Sequence, residues 1–436
     1  LVRGAVEASP SDLLIAVQAR REDALEQALQ HAEAALKAEP AQPAGSTGPA
    51  AEPPRSIQMA LAADPSASLA LISTPGEYAA AEAEKALRSG LDVMLFSDNV
   101  SLEDEVALKT LARASGRIVM GPDCGTAIIN GVPLAFANVV RRGPIGCVAA
   151  SGTGLQQVTC LVDRLGLGIS QAIGTGSHDL HQAVGGITML QGIRALGSDT
   201  STKVIVLISK PPAAEVARKV LRAASRVGKP VVVNFVGAAR DSITGANLHP
   251  VVTLAEAARA AVALARGRKP APQPAAPVPI KRPRFAANQR YVRGLFSGGT
   301  FCYEASLLLG EALGRVWSNA PVRAEDRLDD VWKSREHTLI DLGDDEFTRG
   351  RPHPMIDHRL RNERMLKEAA DPRTAVILFD VVLGHGSHAD PAAVMVPAIR
   401  AAQQRAAKGQ RKITFVGSVC GTPADPQNLG RQEADE

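Results

Sequence analysis

Two short turns built from serine, glycine and threonine could each bind an anion. One occupies residues 151–154 and the other residues 297–300, and each lies between an apolar run and a helical pattern. Such a turn leaves backbone N–H groups free at the positive end of a helix dipole, and its hydroxyls add further donors. Either turn could also be an ordinary N-capped helix start. Two of them in one chain predict a shared site for a phosphate. The predicted phosphate-binding residues are Ser151, Gly152, Thr153, Gly154, Ser297, Gly298, Gly299 and Thr300.

Several charged or imidazole side chains follow apolar runs and could act on a ligand at these turns. Lys210 follows the run 203–209 and could clamp a phosphate or a carboxylate. The others could move protons, although each could equally be a hydrogen-bonded loop residue. His385 and His388 lack a third ligand at metal spacing, so we expect no metal. The candidate catalytic residues are Lys210, His178, Asp179, Asp345 and His385.

Alternating apolar strands and amphipathic helices are the elements that would position these residues. This alternation predicts parallel sheets with right-handed crossovers, in three α/β layers. The predicted strands are 69–73, 93–96, 118–120, 145–150, 167–173, 203–209, 230–236, 291–296, 337–342, 374–379 and 412–417. The predicted helices are 77–88, 102–114, 154–165, 179–196, 213–227, 253–266, 301–313, 358–370 and 391–406. A further strand at 13–17 and a helix at 21–37 form a small N-terminal α/β fragment.

Three strand-end loops of the first layer, at 73–76, 97–99 and 121–125, predict a second pocket. Ligands of open α/β sheets bind outside the carboxyl ends of the strands, where these loops must meet. The predicted substrate-binding or cofactor-binding residues are Gly121, Asp123, Cys124, Gly125, Gly174, Thr175, Gly176 and Asp344.

Composition narrows the class of protein. The 436-residue chain is 45% hydrophobic and 3% aromatic with a net charge of +4, and its basic residues are scattered. These features argue against a nucleic-acid partner. No apolar run is long enough for a membrane span, and five cysteines without a C-x-x-C pair read as reduced thiols. We therefore expect a cytoplasmic protein.

Residues 119–130, 173–179 and 337–347 carry a family resemblance. They resemble the FdrA family of the succinyl-CoA synthetase-like superfamily. The resemblance implies a Rossmann-like domain of the CoA-binding type and two flavodoxin-like domains of the ligase type, which aim a pair of helices at one phosphate. The expected segments are an N-terminal fragment at 1–37, a linker at 38–54, the Rossmann-like domain at 55–140, the ligase-type domains at 141–266 and 287–436, and a Pro-rich linker at 267–286.

The resemblance also implies a reaction. Succinyl-CoA synthetases carry a phosphoryl group on the histidine of a His-Ala-Gly loop. The matching stretch of this chain, residues 236–249, lacks the His-Ala-Gly sequence. Lys210 follows the strand after which that family has a glutamate that orients the phosphohistidine. His249 is expected to be structural, and the chain shows neither a Walker A motif nor an ATP-grasp region. FdrA proteins are subunits of oxamate carbamoyltransferase, so the resemblance implies carbamoyl transfer between carbamoyl phosphate and oxamate or oxalurate in purine and allantoin breakdown, together with other subunits and without a cofactor.

Two alternatives remain open. The chain could be a subunit of an ATP-dependent, succinyl-CoA ligase-like acyl-CoA synthetase that binds CoA at the three strand-end loops, with CoA or a nucleotide as its cofactor. It could also be a scaffold whose phosphate sites only hold partner subunits together.

Overall fold

The computed structural model of the protein describes residues 21–37, 53–270 and 283–435. The chain divides into two units, Leu1–Ser56 and Ile57–Glu436. The first unit contains helix α1 (Glu22–Lys37), which the sequence predicts. The predicted strand at 13–17 and most of both linkers lie outside the described residues. Every other element belongs to the second unit.

The first sheet of the second unit has three parallel strands in the order β1-β2-β3. Its helix α3 packs with the small side chains of Ala79, Ala83 and Ala86, all fully buried. Ser101 caps α4 by accepting a hydrogen bond from the Asp104 amide, as expected for a serine at this position. The elements are β1 (Leu69–Ile72), β2 (Asp92–Leu95), β3 (Val119–Met120), α2 (Ile57–Ala63), α3 (Gly76–Arg88) and α4 (Leu102–Ala114).

The second sheet has seven strands in the order β10-β9-β8-β6-β7-β4-β5. Strands β6 to β10 run parallel, and α5 to α8 belong to this layer. Strand β8 is buried along its whole length, as expected for a central parallel strand covered on both faces. The strands are β4 (Thr126–Ile129), β5 (Val132–Ala135), β6 (Arg142–Ala149), β7 (Ile169–Gly174), β8 (Val204–Ser209), β9 (Val231–Phe235) and β10 (Leu248–Pro250). The helices are α5 (Gly152–Arg164), α6 (Ile187–Ser198), α7 (Ala214–Ala224) and α8 (Leu254–Ala265), with a 3-10 turn at Arg240–Ser242.

Two features of this sheet differ from the sequence prediction. The antiparallel hairpin β4–β5 pairs with β7, so the second sheet already includes residues that we expected in the Rossmann-like domain. Its turn is Asn130-Gly131, both with positive φ, which is a common hairpin signal. Helix α6 begins at Ile187 rather than at 179. Gly185 and Gly186 have φ of 75° and 74°, which a right-handed helix does not accommodate.

The third sheet has five parallel strands in the order β12-β13-β11-β14-β15. The short edge strand β12 and the short helices α10 and α13 are the elements of this layer that the sequence does not predict. The strands are β11 (Tyr291–Phe296), β12 (Trp317–Ser318), β13 (Thr338–Asp341), β14 (Thr374–Val382) and β15 (Thr414–Cys420). The helices are α9 (Gly299–Leu313), α10 (Asp345–Thr348), α11 (Arg359–Ala370), α12 (Pro391–Lys408) and α13 (Leu429–Asp435), with a 3-10 turn at Ala324–Asp326.

Strand register brings the candidate residues together. Ala149 pairs with Ile208 at the carboxyl ends of β6 and β8, so Ser151 and Lys210 leave neighbouring strands at one edge of the second sheet. Phe296 pairs with Asp341 in the third sheet in the same way. The α/β fold with parallel sheets, predicted from the sequence, is confirmed. None of the described helices is long and apolar enough to cross a membrane.

Candidate functional site

The N-termini of α5 and α9 meet. Ser151 Oγ lies 2.5 Å from Thr300 Oγ1, a hydrogen bond between the second and third sheets. The two turns also pack directly, because a Cβ on Gly298 would lie 2.9 Å from the Thr153 methyl carbon. The close approach requires glycine at 298. The structure therefore places the positive ends of two helix dipoles side by side.

This junction offers several unpaired donors. Ser151 Oγ accepts a hydrogen bond from the Gly154 amide at 2.9 Å. Within the described part of the chain, the amides of Gly152, Thr153, Gly299 and Thr300 have no hydrogen-bond partner. Of the two hydroxyls that bond to each other, one keeps a proton that it can donate elsewhere. Unpaired amides at two adjoining helix starts form an anion-binding site.

The first half of the second turn is already occupied by a carboxylate of the protein. Asp380 accepts hydrogen bonds from the Ser297 amide at 2.7 Å, the Ser297 hydroxyl at 2.9 Å and the Gly298 amide at 2.8 Å. Arg361 donates to the same carboxylate at 2.9 Å, and both side chains are fully buried. This corrects the expectation for Ser297 and Gly298. Their donors hold Asp380, and the open part of the site is formed by the other turn residues.

Lys210 and Asp341 stand beside the start of α9. A Cβ on Gly299 would overlap Asp341 Oδ2 and would lie 3.4 Å from Lys210 Nζ. The Lys210 ammonium group is half-buried and has no hydrogen bond or ion pair with any described residue. Burial raises the pKa of Asp341 to about 6, an effect that the Lys210 charge partly offsets. An unpaired cation thus lies next to the unpaired amides.

His353 also reaches this region, although the sequence leaves its role open. Its Nε2 atom would lie 2.9 Å from a Cβ on Gly343, beside Asp341. Nδ1 accepts a hydrogen bond from the Met355 amide at 3.2 Å. Burial and the Arg361 charge lower the pKa of His353 to about 4. The ring is therefore neutral at pH 7 with its proton on Nε2, so His353 is a hydrogen-bond donor rather than a nucleophile.

A second group of titratable side chains lies at the carboxyl end of the first sheet. Asp123 is exposed to solvent, but many protein atoms lie around its carboxyl group. This combination is expected for a side chain that lines a cleft. Desolvation and the Asp98 and Asp345 charges raise the pKa of Asp123 to about 6, while Ser177 opposes this by hydrogen bonding. Desolvation also raises the pKa of Asp345. The Glu105 carboxylate, 3.6 Å from Nδ1 of His178, raises the pKa of that imidazole. The structure thus brings Asp123, His178 and Asp345 close enough to interact.

Asp179 has a different environment from its neighbour His178. It is fully buried and accepts hydrogen bonds from the Lys109 ammonium group at 2.8 Å and from the Thr188 and Met189 amides at 3.1 Å and 2.8 Å. Lys109 also binds Glu105 at 2.7 Å. The structure corrects the catalytic expectation for Asp179, because its carboxylate joins α4 to the start of α6.

The remaining predicted residues are mostly structural. Asp344 caps α10 by accepting from the Glu346 amide. Cys124 is buried, which raises the pKa of its thiol to about 12. Gly174 and Gly176 lie where any Cβ would overlap Thr126 O and Pro122 O. Thr175 is buried and its carbonyl accepts from Lys109. Gly121 and Gly125 shape the same loop, and the His385 amide bonds to Ala137 O while its side chain is exposed.

The chain is 46% identical over 374 residues to the uncharacterized protein YahF of Escherichia coli, across 84% of this chain and 72% of YahF. It belongs to the YahF family. Two domain models also match: a CoA binding domain over residues 141–237 and a CoA-ligase domain over residues 295–435. These matches place the family in the succinyl-CoA synthetase-like superfamily.

One more distant relative and one solved structure are also similar to this chain. The alpha subunit of succinate–CoA ligase [ADP-forming] from Aquifex aeolicus is 27% identical over 177 residues, across 39% of this chain and 57% of that subunit. A dinucleotide-forming acetyl-coenzyme A synthetase of Ca. Korarchaeum cryptofilum aligns at 15% identity and a TM-score of 0.38, across 84% of this chain and 77% of that chain. The CoA binding domain match falls on the segment for which we expect the first ligase-type domain.

The three strand-end loops offer no cation to the phosphates of CoA. They pack on one another through hydrogen bonds from Ser97 Oγ to Thr74 O and from the Asp123 amide to Ser97 O. The segments 73–76, 97–99 and 121–125 contain no Lys or Arg, and Asp98 and Asp123 are their charged side chains. CoA carries several phosphate charges, which carboxylates repel.

His249 lies far from the helix junction. It pairs with Val232 near the amino end of β9, whereas Ser209 pairs with Phe235 at the carboxyl end of that strand. The separation along β9 is about 10 Å. The described residues of this YahF-family chain also hold no cluster of three or more metal-ligating side chains.

Proposed function

We propose that the chain is a subunit of an acid–thiol ligase that binds the phosphate of an acyl phosphate between α5 and α9. The contact between Ser151 and Thr300 carries the proposal, because it joins the two helix starts into one anion site. The CoA-ligase and CoA binding domain matches support the class.

The residues of the junction would act on the leaving phosphate. The acceptor attacks the acyl carbon, a new bond forms there, and the bond to the phosphate oxygen breaks with its electron pair leaving on phosphate. Lys210 and the free amides of Gly152, Thr153, Gly299 and Thr300 lie where they can stabilise that charge. His353 can donate from Nε2 without changing its own charge. Donors that are already in place need no reorganisation during the reaction.

The proton of the acceptor would pass to the titratable side chains at the carboxyl end of the first sheet, which we call the acidic group: Asp123, His178 and Asp345. Asp123, with a pKa of about 6, is ionised at pH 7 and basic enough to accept a proton. The Asp345 charge raises the pKa of Asp123 and the His178 charge lowers it. We assign proton acceptance to Asp123 and an electrostatic role to the other two.

The class of acceptor distinguishes two candidate functions. The ligase relatives favour a thiol, which CoA would supply in an enzyme of this class. An amide nitrogen is the second candidate, with carbamoyl phosphate as donor and oxamate or oxalurate as partner, in a complex with other subunits. The second candidate rests on the acidic strand-end loops, which offer no cation to the phosphates of CoA, although the CoA binding domain match covers residues 141–237 and not these loops. Neither candidate needs a phosphohistidine, and His249 lies away from the junction.

One experiment separates the candidates. The full chain, purified with any subunits that copurify, is given succinyl phosphate with CoA, or carbamoyl phosphate with oxamate, and released phosphate is measured. Thioester absorbance and a colour assay for the ureido product identify the acceptor. We expect acceptor-dependent phosphate release that falls in a Ser151→Trp variant. The proposal is contradicted if the rate of phosphate release is the same with and without either acceptor. It is also contradicted, in favour of a scaffold, if the Ser151→Trp variant assembles and works normally.

A further inference from the structure

A cavity of about 730 Å³ lies at the opposite edge of the first sheet from the acidic group. Ser68, Asp92 and Ile118 line it at the amino ends of the three strands, whereas Ser97, Asp98 and Asp123 lie at the carboxyl ends. Four-residue strands separate the two edges by about 13 Å. On its other side the cavity is lined by α6 and by strands of the second sheet. It is therefore a separate space between the first two layers.

The cavity has the size and lining of a small-molecule site. Pockets for such ligands have volumes of about 300–1,000 Å³ and mostly apolar walls with a few polar groups. The apolar walls here come from both layers, and they are Leu69, Ile118, Met120, Ile129, Ile173 and Leu196. The layers are also tied together at this point, because Gln191 Nε2 donates to Arg117 O at 2.8 Å. Apolar walls on two sides suit a flat hydrophobic body.

Three arginines line the same cavity without a charge partner. Arg113, Arg117 and Arg194 form no ion pair or hydrogen bond through their guanidinium groups with any residue of the described ranges. The acidic side chains of the lining are engaged locally. Asp92 accepts from the Ile118 amide at 3.0 Å, and Asp199 accepts from Ser201 and Thr202. The unpaired guanidinium groups remain available to an anion.

We propose that this cavity binds a small molecule with a flat apolar body and one or two carboxylate, sulfonate or phosphate groups. Guanidinium groups recognise such anions through paired, charge-assisted hydrogen bonds. The half-buried Arg117 and the exposed Arg194 contact the anion, and the apolar walls contact the body. This site is independent of the phosphate site, and its ligand would bridge the first two layers.

A matched pair of fluorescent probes tests the proposal. 8-Anilinonaphthalene-1-sulfonate has the proposed chemistry, and N-phenyl-1-naphthylamine has the same aromatic body without the charge. We expect one sulfonate probe per chain, with affinity that falls about tenfold or more in Arg117→Met and in Arg194→Met. Binding of the neutral probe should change less than about twofold in the same variants.

Two further variants complete the test. Ala195→Trp places a large side chain at the cavity wall on an exposed helix position and should abolish binding of both probes. Arg218→Met removes an exposed arginine of α7, outside the cavity, and should leave both affinities unchanged. Circular dichroism confirms that each variant is folded. The proposal is overturned if the sulfonate probe shows no saturable binding, if its affinity does not depend on Arg117 and Arg194, or if binding survives Ala195→Trp.

Discussion

Ser151 Oγ and Thr300 Oγ1 lie 2.5 Å apart, although 149 residues separate them in the chain. This contact brings two helix N-termini together, each equivalent to roughly half a positive charge. Such ends repel each other unless negative charge lies nearby. Asp380 and Asp341 supply part of it at the start of α9. The unpaired amides and Lys210 indicate that a ligand supplies the rest.

Replacing Lys210 by methionine should weaken anion binding. The variant keeps the aliphatic stem but removes the unpaired charge beside Gly299. We expect inorganic phosphate to bind about tenfold more weakly and the rate of phosphate release to fall about a hundredfold. Lys219→Met, at an exposed position of α7, is the matched control and should behave as the wild type. Equal phosphate affinity in the two variants would exclude Lys210 from the site.

Asp341 should make anion binding depend on pH. Its pKa of about 6 means that the carboxylate beside α9 becomes neutral as the pH falls below 6. Sulfate remains a dianion over this range, so the change in its affinity reports the protein alone. We expect sulfate to bind more tightly at pH 5 than at pH 7.5 in the wild type, and equally at both in Asp341→Asn. The same pH dependence in the variant would assign the effect to another group.

Ionisation of Asp341 should lower the stability of the folded protein, and Asp341→Asn should remove this effect. The folded pKa of Asp341 lies above the usual value of 3.8, so ionisation disfavours the folded state. Stability of the wild type relative to Asp341→Asn should therefore fall as the pH rises from about 4 to about 6, by on the order of 2–3 kcal/mol. Thermal unfolding at pH 4.5 and pH 7.5 measures this difference. Asp329→Asn, at an exposed position, serves as control.

Asp380→Asn should destabilise the third layer strongly. The carboxylate holds Ser297, Gly298 and the buried Arg361 guanidinium at once. Removing one member of a fully buried ion pair costs about 3–5 kcal/mol. Urea unfolding gives the cost. A loss below about 1 kcal/mol would show that the ion pair does not hold the turn.

Lys109→Met should loosen the first layer from the second. Lys109 binds Glu105 on its own helix and Asp179 and Thr175 O in the neighbouring layer, and all of these charges are buried. We expect a loss of about 3–5 kcal/mol and faster hydrogen exchange at the start of α6. Lys85→Met breaks an exposed pair with Glu82 and should cost less than about 1 kcal/mol. Unchanged exchange at α6 would contradict the coupling.

Much of the fold follows from hydrophobic periodicity. The long parallel strands are apolar runs bounded by glycine and polar turns, and the structure begins most of them within two residues of the prediction. The sequence did not predict the β4–β5 hairpin, because each of its strands has four residues. Its Asn130-Gly131 turn also lies in a stretch whose pattern is equally typical of a loop. The late start of α6 depends on two glycine φ angles that a helical pattern does not reveal.

The candidate site was only partly predictable. A Ser-Gly-Thr turn indicates where donors are, so Ser151 and Thr300 could be named in advance. Asp380 could not, because it lies within an otherwise apolar strand and its role depends on β14 lying beside β11. The distinction between His178 and the adjacent Asp179 likewise depends on tertiary contacts, since Lys109 comes from another layer.

Titration with inorganic phosphate tests the central claim most directly. Calorimetry is run on the wild type, on Gly152→Pro, which removes one amide at the first position of α5, and on Thr300→Val, which removes the hydroxyl at the start of α9. We predict one phosphate per chain in the wild type and an affinity that falls severalfold or more in each variant, with circular dichroism confirming that each variant is folded. Absence of binding, or an affinity that depends on one helix and not on the other, would contradict a single phosphate site between α5 and α9.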